Sequence, residues 1–531
     1  ANSYRDRLKG NPIKNLEIAI ATYHDALKVL TKEAFPERWA TIQNNLGIAY
    51  SSKILGSFED FQKLAIIAYK AALQVFTEET FPQQWAMAQK NLGITYANFI
   101  NGNAAENLDK AMTAHQAAAR VFTRDAFPKY WGRNQTNMAI AYNKLGNIDK
   151  AIACCHSALE LFAPTTFPME CLTTAHLLGE ISFKTSRWAE AIEGYGIAIE
   201  AVETTRTWTP SESRRQEIVE NAIGVYRNMV QACINAGDLK KALEYAERSK
   251  SKLLVDIMAS NDRYQTDNIP PEVEELLQQY NDLQQQIDRE RRQQTADTPR
   301  ETKTDRASFH SYNQTINRLE SQKQNIWEQL RRLDPVLAGE IQVSAPDIAA
   351  MQRLIDKPTS AILSFYNTSR DTHIFILRQD GISLHTCPQQ GIEELQRYIA
   401  ENWLSPYLQQ SEGFDRLDSI LDELGDRLQL NDLIARHLDG IEELIIVPHL
   451  LLHLIPFGAI AISDSPPRYL GDKFLIRYAP SCQILEFCHQ RGEVDVETFQ
   501  YGIVEDAADN LHFAAWEGDR LAELLGIPET N

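Results

Sequence analysis

The stretch 441–481 reads IEELIIVPHLLLHLIPFGAIAISDSPPRYLGDKFLIRYAPS, and it decides the fold of the last part of the chain. It opens with the apolar run 444–447, which Pro448 ends, and continues through His449 and His453. A buried strand that ends in a polar, proline-bounded loop is typical of α/β folds, where such loops carry the chemistry. The two histidines are therefore candidates for a place beside a binding cleft.

The same histidines admit a plainer interpretation, in which hydrogen bonds to the backbone shape the loop. A spacing of four residues suits a metal ion only on a helix with a third ligand. Because Pro448 makes this segment a loop, we expect no metal site here.

Size and charge narrow the class of protein. A chain of 531 residues is too long for one hydrophobic core and divides into several domains. The formal charge of −19, with a pI near 5.2, disfavours nucleic acid and anionic membrane surfaces as main partners. No apolar run reaches the ~18 residues of a membrane helix, and the start ANSYRDRLKGN does not resemble a signal peptide. We expect a cytoplasmic protein.

The seven cysteines, at 154, 155, 171, 233, 387, 482 and 488, are odd in number and lack C-x-x-C spacing. Neither a disulfide framework nor a zinc site is indicated. We expect these cysteines to serve ordinary packing, and we expect no cofactor.

Residues 1–260 repeat with a regular period. Phe-Pro pairs stand at 35/36, 81/82, 127/128 and 167/168, which are 46, 46 and 40 residues apart. Trp39, Trp85 and Trp131 follow the first three pairs, and each is followed at a fixed offset by Asn-Leu-Gly or Asn-Met-Ala and then a tyrosine. Proline favours the first turn of a helix, so each pair predicts the start of a first helix. The aromatic residues are expected to pack between repeats.

A second helix in each repeat is marked by small and aromatic residues spaced four and three apart. Such spacing puts all three on one helical face, and alanine lets two helices approach closely. The sets are Ala19/Tyr23/Ala26, Ala65/Tyr69/Ala72, Ala111/His115/Ala118, Ala151/Cys155/Ala158 and Ala191/Tyr195/Ala198, and a sixth such helix ends near Ser249.

This pattern resembles the tetratricopeptide repeat, although its 46-residue period is longer than the usual unit. The resemblance implies an α-solenoid whose concave groove binds a protein or peptide partner. In the plainer interpretation the array only holds the downstream domain. Tyr4 aligns with Tyr50, so we expect that the chain begins inside a repeat. The candidate groove residues on the first helices are Asn44, Lys90, Asn98, Thr136, Asn143 and Lys144.

Residues 261–340 predict a long helical hairpin. The segments 273–292 and 309–333 are polar with a thin apolar stripe, which is typical of an antiparallel coiled coil. The connector TADTPRETKTDRA has almost no apolar residues and is expected to be mobile. The hairpin serves either as a spacer or as a lever.

Residues 341–531 change period and predict an α/β domain. Apolar runs at 361–366, 373–377, 381–387, 444–447, 474–478 and 501–504 predict strands, and 392–402, 414–438, 482–489 and 514–525 predict helices. Alternation of this kind favours a sheet covered by helices.

Several short segments of this region resemble the CHAT family of caspase-like domains. They are LDP at 333–335, VPH at 447–449, LHLIPF at 452–457, YLGD at 469–472 and YAPS at 478–481. That family follows tetratricopeptide repeats through a segment like ERSKSKLL, which stands here at 247–254. The resemblance implies a caspase-type fold and, in active members, a cysteine endopeptidase with a His/Cys dyad. In such a dyad a thiolate attacks the peptide carbonyl and an imidazole passes the proton to the leaving amine.

The two elements that carry the dyad in that family, one like His-x-x-x-His-Gly and one like Ala-Cys-Glu, do not occur in this chain. His512, within LHFAAWEG, matches the acidic helix that precedes the histidine strand. We therefore expect no catalytic residue here, and a CHAT domain represented by its N-terminal half, truncated before the dyad. His449 and His453 remain candidates for a place beside the cleft.

Two functions are compatible with these features. In the first, the chain is a partner-sensing scaffold and the N-terminal portion of a caspase-like cysteine endopeptidase, inactive alone. Its partners would be a protein or peptide in the repeat groove and the remaining C-terminal part of the caspase-like domain. In the second, it is a non-enzymatic interaction or regulatory module with an incomplete CHAT domain.

Overall fold

The structure, a computed structural model, begins with a succession of packed helices and ends in a mixed sheet. It describes residues 11–52, 58–99, 103–207, 212–261, 270–296, 306–334, 347–408, 417–464 and 467–490. The helices before the sheet are α1 Pro12–Val29, α2 Pro36–Ser51, α3 Phe58–Ala72, α4 Pro82–Asn98, α5 Ala104–Val121, α6 Pro128–Lys144, α7 Ile148–Leu159, α8 Pro168–Lys184, α9 Trp188–Thr207, α10 Glu212–Asn235, α11 Leu239–Asn261, α12 Pro271–Ala296 and α13 Arg306–Leu333. We refer to α1 through α11 as the array.

Each Phe-Pro pair stands at the start of a helix, as its spacing predicts. Pro36, Pro82, Pro128 and Pro168 begin α2, α4, α6 and α8. Proline suits this position because its φ is already helical and its missing N–H has no partner to lose there. The four preceding phenylalanines share one backbone conformation, with φ between −142° and −134° and ψ between 60° and 63°.

Complementary side-chain sizes join the two helices of each repeat. Gly47 lies against the ring of Tyr69, and a Cβ at Gly47 would stand 2.5 Å from the ring. Where alanine replaces the glycine, the residue that faces it is a small cysteine instead of a ring. The pairs are Gly47 with Tyr69, Gly93 with His115, Ala139 with Cys155 and Gly179 with Tyr195. The small and aromatic residues predicted on the second helices are buried, except Ala26, which is half-buried.

Helices α12 and α13 form an antiparallel hairpin. Val273, near the start of α12, packs with Leu330, near the end of α13. Ile287, further along α12, packs with Ile316 of α13. The hairpin also contacts the array, because Phe309 is buried in a cluster with array residues between 158 and 201.

The strands predicted between 361 and 478 are all present in one five-stranded sheet. Its order is β3-β2-β1-β4-β7; the pairs β3–β2 and β2–β1 are antiparallel, whereas the pairs β1–β4 and β4–β7 are parallel. The strands are β1 Ser360–Asn367, β2 Thr372–Arg378, β3 Gly381–Cys387, β4 Glu443–Val447, β5 Ala461–Asp464, β6 Pro467–Tyr469 and β7 Leu475–Tyr478, with β5 and β6 in a separate hairpin. The predicted strand 501–504, the predicted helix 514–525 and His512 lie outside the described residues.

One predicted helix of this region is divided in the structure. The helices are α14 Ile348–Arg353, α15 Arg397–Ile399, α16 Ser405–Leu408, α17 Leu417–Arg427, α18 Leu430–His437, α19 Leu470–Lys473 and α20 Cys482–Gln490, with π-helical turns Ile392–Gln396 and Ala400–Leu404 and 3-10 turns Leu450–Leu454 and Phe457–Ala459. The prediction of a single helix over 414–438 was wrong, because Gln429 between α17 and α18 has φ 51°. A residue in this left-handed conformation interrupts the helical hydrogen bonds.

Both faces of the central strands β1 and β4 are buried, and each face packs on a different set of helices. Alternate residues of a strand point to opposite faces. Leu363 of β1 therefore joins a core with Leu424 of α17. Ile362, the preceding residue of β1, joins a core with Met229 of α10 and Ala246 of α11. The last helices of the array thus form one of the two helical layers on the sheet, and this hydrophobic core crosses the predicted boundary between 260 and 341.

The size complementarity predicts opposite effects for two glycine-to-alanine substitutions. Gly179→Ala should lower the unfolding free energy by about 1 to 2 kcal/mol, because the new Cβ meets the buried Tyr195 ring. Gly224→Ala, on a helical position with no described atom within 4 Å of the new Cβ, should raise it by up to about 1 kcal/mol. Urea unfolding followed by circular dichroism measures both. Equal effects would show that helix propensity alone decides the outcome.

Candidate functional site

The carboxyl ends of β1 and β4 meet beside α11. These strands are parallel neighbours, with Ser364 in register with Val447. In open α/β sheets, binding and catalytic side chains gather at the carboxyl ends of strands. We name this region, with the α11 side chains that reach it, the array–sheet junction. It comprises Glu247, Ser249, Lys250, Ser364, Tyr366, Asn367, His449 and Cys482.

A buried ion pair from α11 occupies the centre of the junction. Lys250 Nζ lies 2.9 Å from Glu247 Oε1, and the two side chains are 4% and 0% exposed. The Ser364 hydroxyl of β1 donates to the Glu247 carboxylate over 2.7 Å, and Lys250 donates to the Ser364 oxygen over 2.8 Å. The backbone N–H of Cys482 donates to the second carboxylate oxygen over 2.8 Å. The pair therefore bonds to β1 and to the start of α20 as well as within α11.

These partners explain why Glu247 is charged although it is buried. Burial by itself would raise the pKa of the carboxyl, because a charge is poorly solvated inside a protein. The nearby ammonium of Lys250, the Cys482 N–H and the Ser364 hydroxyl outweigh that effect and hold the pKa of Glu247 below its ordinary value. Glu247 is thus an ionised, hydrogen-bonded acceptor.

His449 is held as a neutral ring at the edge of the junction. Its ring stacks on Tyr366 with 4.7 Å between centroids, and its Nδ1 accepts the backbone N–H of Asn367 over 3.0 Å. The same Nδ1 also lies 3.0 Å from Asn367 Oδ1, so both the backbone and the side chain of Asn367 hold the ring. Burial, and then the charge of Lys250, hold the pKa of His449 well below its ordinary value. Tyr366 in turn accepts the Ser249 hydroxyl over 3.2 Å, so α11 also supports the stacked pair.

His453 lies differently from His449. It is exposed on the 3-10 turn, and burial of part of the ring followed by the charge of Lys250 lowers its pKa. Between the two histidines, Leu450 has φ 55° and a side chain that is 41% exposed. A leucine in the left-handed region is strained and is held there by its surroundings. Of the two predicted cleft-adjacent histidines, the structure brings only His449 into the hydrogen-bonded junction.

Cys482 is the cysteine of the junction, and its surroundings disfavour a thiolate. Burial, and then the carboxylate of Glu247, raise the pKa of the Cys482 thiol well above its ordinary value. A nucleophilic cysteine needs the opposite, a pKa lowered by nearby positive charge. The geometry of the junction therefore supports a structural connection between the array and the sheet. Among the described residues, the junction does not provide a nucleophile.

The predicted groove residues divide into those that are used within the array and those that are not. Thr136 is buried, and its hydroxyl lies 2.8 Å from that of Thr174. Lys144 donates to the Ala97 carbonyl over 2.7 Å and to Asn98 Oδ1 over 3.0 Å, so it joins consecutive first helices. Asn143 is half-buried, and its carbonyl accepts the N–H of the Gly146 turn. Asn44 is half-buried, and its Oδ1 has no partner among the described atoms.

Lys90 remains as the cation of the predicted groove. Its Nζ lies 5.9 Å from the ring centroid of Tyr130, and no described carboxylate is within ion-pair distance of it. Burial, and then the charge of Arg133, lower the pKa of Lys90 to about 8. Arg133 itself contacts Glu170, which also pairs with Lys129. An ammonium with lowered pKa and no counter-ion favours an incoming carboxylate.

The sequence prediction missed Glu247, Lys250 and Ser364. Two charges three residues apart on a helix normally mark an exposed face. Their partners lie more than a hundred residues away, so helical periodicity does not reveal them. The available signal was the ERSK segment itself, which the resemblance marks as a family feature without assigning a role to each residue.

Comparison with known proteins leaves the family open. No protein-family model and no curated protein matches this chain. A crystal structure of BtubC (BKLC) from P. vanneervenii is similar at 16% identity, over 48% of this chain and 95% of that chain, with a TM-score of 0.34. This likeness is too low to support an argument about fold or function.

Metal-binding clusters and membrane-spanning helices are both absent from the described part of the chain. No group of His, Cys, Asp and Glu side chains there is arranged to hold a metal ion. None of its helices is both long enough and apolar enough to cross a lipid bilayer.

Buried neutral histidines predict that acid destabilises the protein. The pKa of His449 is lowered by burial, and that of His115 and of His373 falls to about 4 for the same reason. Each folded pKa lies below the unfolded value, so the unfolded chain binds more protons below pH ~6.5. The unfolding free energy should fall as the pH decreases from 6.5, by up to about 1.4 kcal/mol per pH unit for each histidine.

His449→Asn keeps an acceptor for the Asn367 N–H and removes one titrating ring. Denaturant unfolding at several pH values should therefore show a smaller slope, by up to about 1.4 kcal/mol per pH unit. The exposed His489→Asn is the matched control and should leave the slope unchanged. An unchanged slope in His449→Asn would mean that this ring does not contribute.

Proposed function

We propose that the chain is a partner-sensing scaffold, in which the array binds a protein or peptide and transmits binding to the α/β domain. The helix-rich first part and the following mixed sheet supply the two components that such a scaffold needs. Lys90 is the residue of the predicted groove that we expect to contact the partner. Asn143 and Asn44 are the further polar candidates of the predicted groove.

The observation that carries the proposal is the array–sheet junction. The last helix of the array places Glu247 and Lys250 under the carboxyl end of β1 and bonds to the first residue of α20. A shift of α11 would leave one or both of these charges without partners, which costs about 3 to 5 kcal/mol for a buried pair. A partner that moves α11 would therefore also move the strand ends and the His449 loop.

We further propose that the α/β domain is the N-terminal portion of a caspase-like domain of the CHAT class, in a cysteine endopeptidase that this chain does not complete alone. The segment resemblance and the mixed sheet with parallel central strands support this assignment. Strand β7, at one edge of the described sheet, exposes 64% of Leu475 and 52% of Tyr478. Such an edge suits the remaining part of a caspase-like domain as a second partner.

A non-enzymatic docking module is the alternative. This alternative is favoured by the buried thiols, because a raised thiol pKa disfavours the thiolate that a cysteine protease needs. Burial raises the pKa of Cys154, Cys155, Cys171 and Cys233 as well as that of Cys482. A peptidase assay on the longest natural product, with cysteine alkylation as control, separates the two. Alkylation-sensitive cleavage of a peptide substrate supports the protease, and its absence supports the docking module.

Charge reversal at Lys90 tests the sensing function. Lys90→Glu should lower recovery of the bound partner about tenfold, because an attraction to a carboxylate becomes a repulsion. Quantitative mass spectrometry of proteins bound to immobilised wild-type and variant chain measures this. Lys150→Glu, an exposed substitution on α7, is the matched control and should leave recovery unchanged.

Two results would count against the groove. One is equal recovery of every partner with Lys90→Glu and with wild type. The other is an equal loss with Lys150→Glu, which would point to the overall charge of the chain. Circular dichroism of each variant confirms that the fold is intact.

A further inference from the structure

The four turns that carry the Phe-Pro pairs are structurally equivalent, and we name them Phe-Pro corners one to four. They comprise residues 31–36, 77–82, 123–128 and 163–168. In each, the phenylalanine N–H bonds the carbonyl four residues earlier, over 2.9 to 3.0 Å. Corners two, three and four also share an edge-to-face phenylalanine pair, with centroids 5.6 to 5.9 Å apart. What binds one corner should therefore find similar geometry at another.

Corner four is occupied by the chain's own helix α13. Phe309 stacks on Phe167 with 5.1 Å between centroids and 6° between ring planes. The Tyr312 hydroxyl donates to the Thr166 carbonyl over 3.2 Å. Both rings of the stacked pair are buried, at 2% and 4% exposure. The Thr165 hydroxyl also donates to Asn317 Oδ1 over 2.9 Å, and Arg291 of α12 donates to the Thr165 carbonyl over 2.8 Å. The corner thus binds the hairpin through an aromatic stack and several hydrogen bonds.

The same helix reaches back to corner three. Arg306 donates to Asp125 Oδ1 over 2.9 Å, and its backbone N–H bonds the Asp125 carbonyl. Residues 306, 309 and 312 are spaced three apart, so they lie along one side of α13. Helix α13 therefore contacts two consecutive corners. It binds an acidic residue on corner three and a phenylalanine on corner four.

Corners one and two offer the same two features without that helix. Glu33 and Glu79 stand two residues before the corner phenylalanines, where corner three has Asp125. Both are exposed, and no ion pair forms with either among the described residues. The Phe81 ring is half-buried, whereas its equivalents Phe127 and Phe167 are buried. Phe35 of corner one is 44% exposed.

We propose that corners one and two are a docking surface for an amphipathic helix of a partner protein, one that carries arginine, phenylalanine and tyrosine at intervals of three residues. The arginine pairs with Glu33, the phenylalanine stacks on Phe81, and the tyrosine hydroxyl donates to the Thr80 carbonyl. These contacts correspond to those of α13 with corners three and four. Because α13 of each copy is held on its own corners, the helix comes from a different protein. The residues of this surface differ from the predicted groove residues.

A peptide copy of α13 tests the surface directly. Fluorescein-labelled peptide 306–333 is titrated with the full chain, and fluorescence anisotropy reports binding. The peptide should bind in trans, and a Phe309→Ala, Tyr312→Ala peptide should bind about a hundredfold more weakly, because the stack and its buried area are lost. No saturable binding of the unaltered peptide would overturn the proposal.

Variants of the chain locate the bound peptide. The double substitution Glu33→Lys, Glu79→Lys should weaken binding about tenfold, whereas Asp109→Lys, an exposed charge reversal on α5, should leave it unchanged. Thermal unfolding checks that the variants fold. Binding that is lost with Asp125→Lys and not with the double variant would place the peptide on corners three and four and contradict the proposal. Self-association of the chain that requires Glu33 would make a second copy the occupant and also contradict it.

Discussion

A buried ammonium and a buried carboxylate on the last helix of the array connect the two halves of this protein. Moving such charges from water into a protein interior costs several kcal/mol per ion, and only complete hydrogen bonding offsets that cost. Glu247 and Lys250 meet the requirement with groups from β1 and α20, in addition to each other. The position of α11 relative to the sheet therefore depends on these hydrogen bonds. Hydrophobic packing around Met229 and Ala246 adds buried area to the same contact.

Two kinds of contact connect the helices and strands of this protein. Within the array, a small residue on one helix faces a ring on the next, as Gly47 faces Tyr69, so the contact depends on shape. Between the array and the sheet, the contact combines a hydrophobic core with buried charges and their hydrogen bonds. Shape contacts of this kind tolerate small rotations of neighbouring helices, whereas a buried ion pair has few arrangements that satisfy it. Under the sensing function proposed above, this difference places the connection between partner binding and the α/β domain at α11, next to His449.

Much of the fold could be predicted from local patterns, and the junction could not. The Phe-Pro spacing gives the starts of four helices because proline acts locally at a helix start. The strands at 361–366 and 444–447 follow from short apolar runs. The break at Gln429 was missed because no glycine or proline marks it, and the β5–β6 hairpin because its strands are so short. Lys250 has the composition of an exposed helix, and its burial results from Ser364 and Val447, which are remote in sequence.

Hydrogen–deuterium exchange on Lys250→Met most directly tests whether this ion pair joins the array to the sheet. Exchange should increase together in α11, in β1 and β4 and at the Cys482 N–H, because Glu247 loses its counter-ion. Helices α1 to α7 should keep wild-type protection in this variant. In the exposed control Lys240→Met, the whole chain should keep it. Increased exchange confined to α11, with β1, β4 and Cys482 protected as in wild type, would contradict the account.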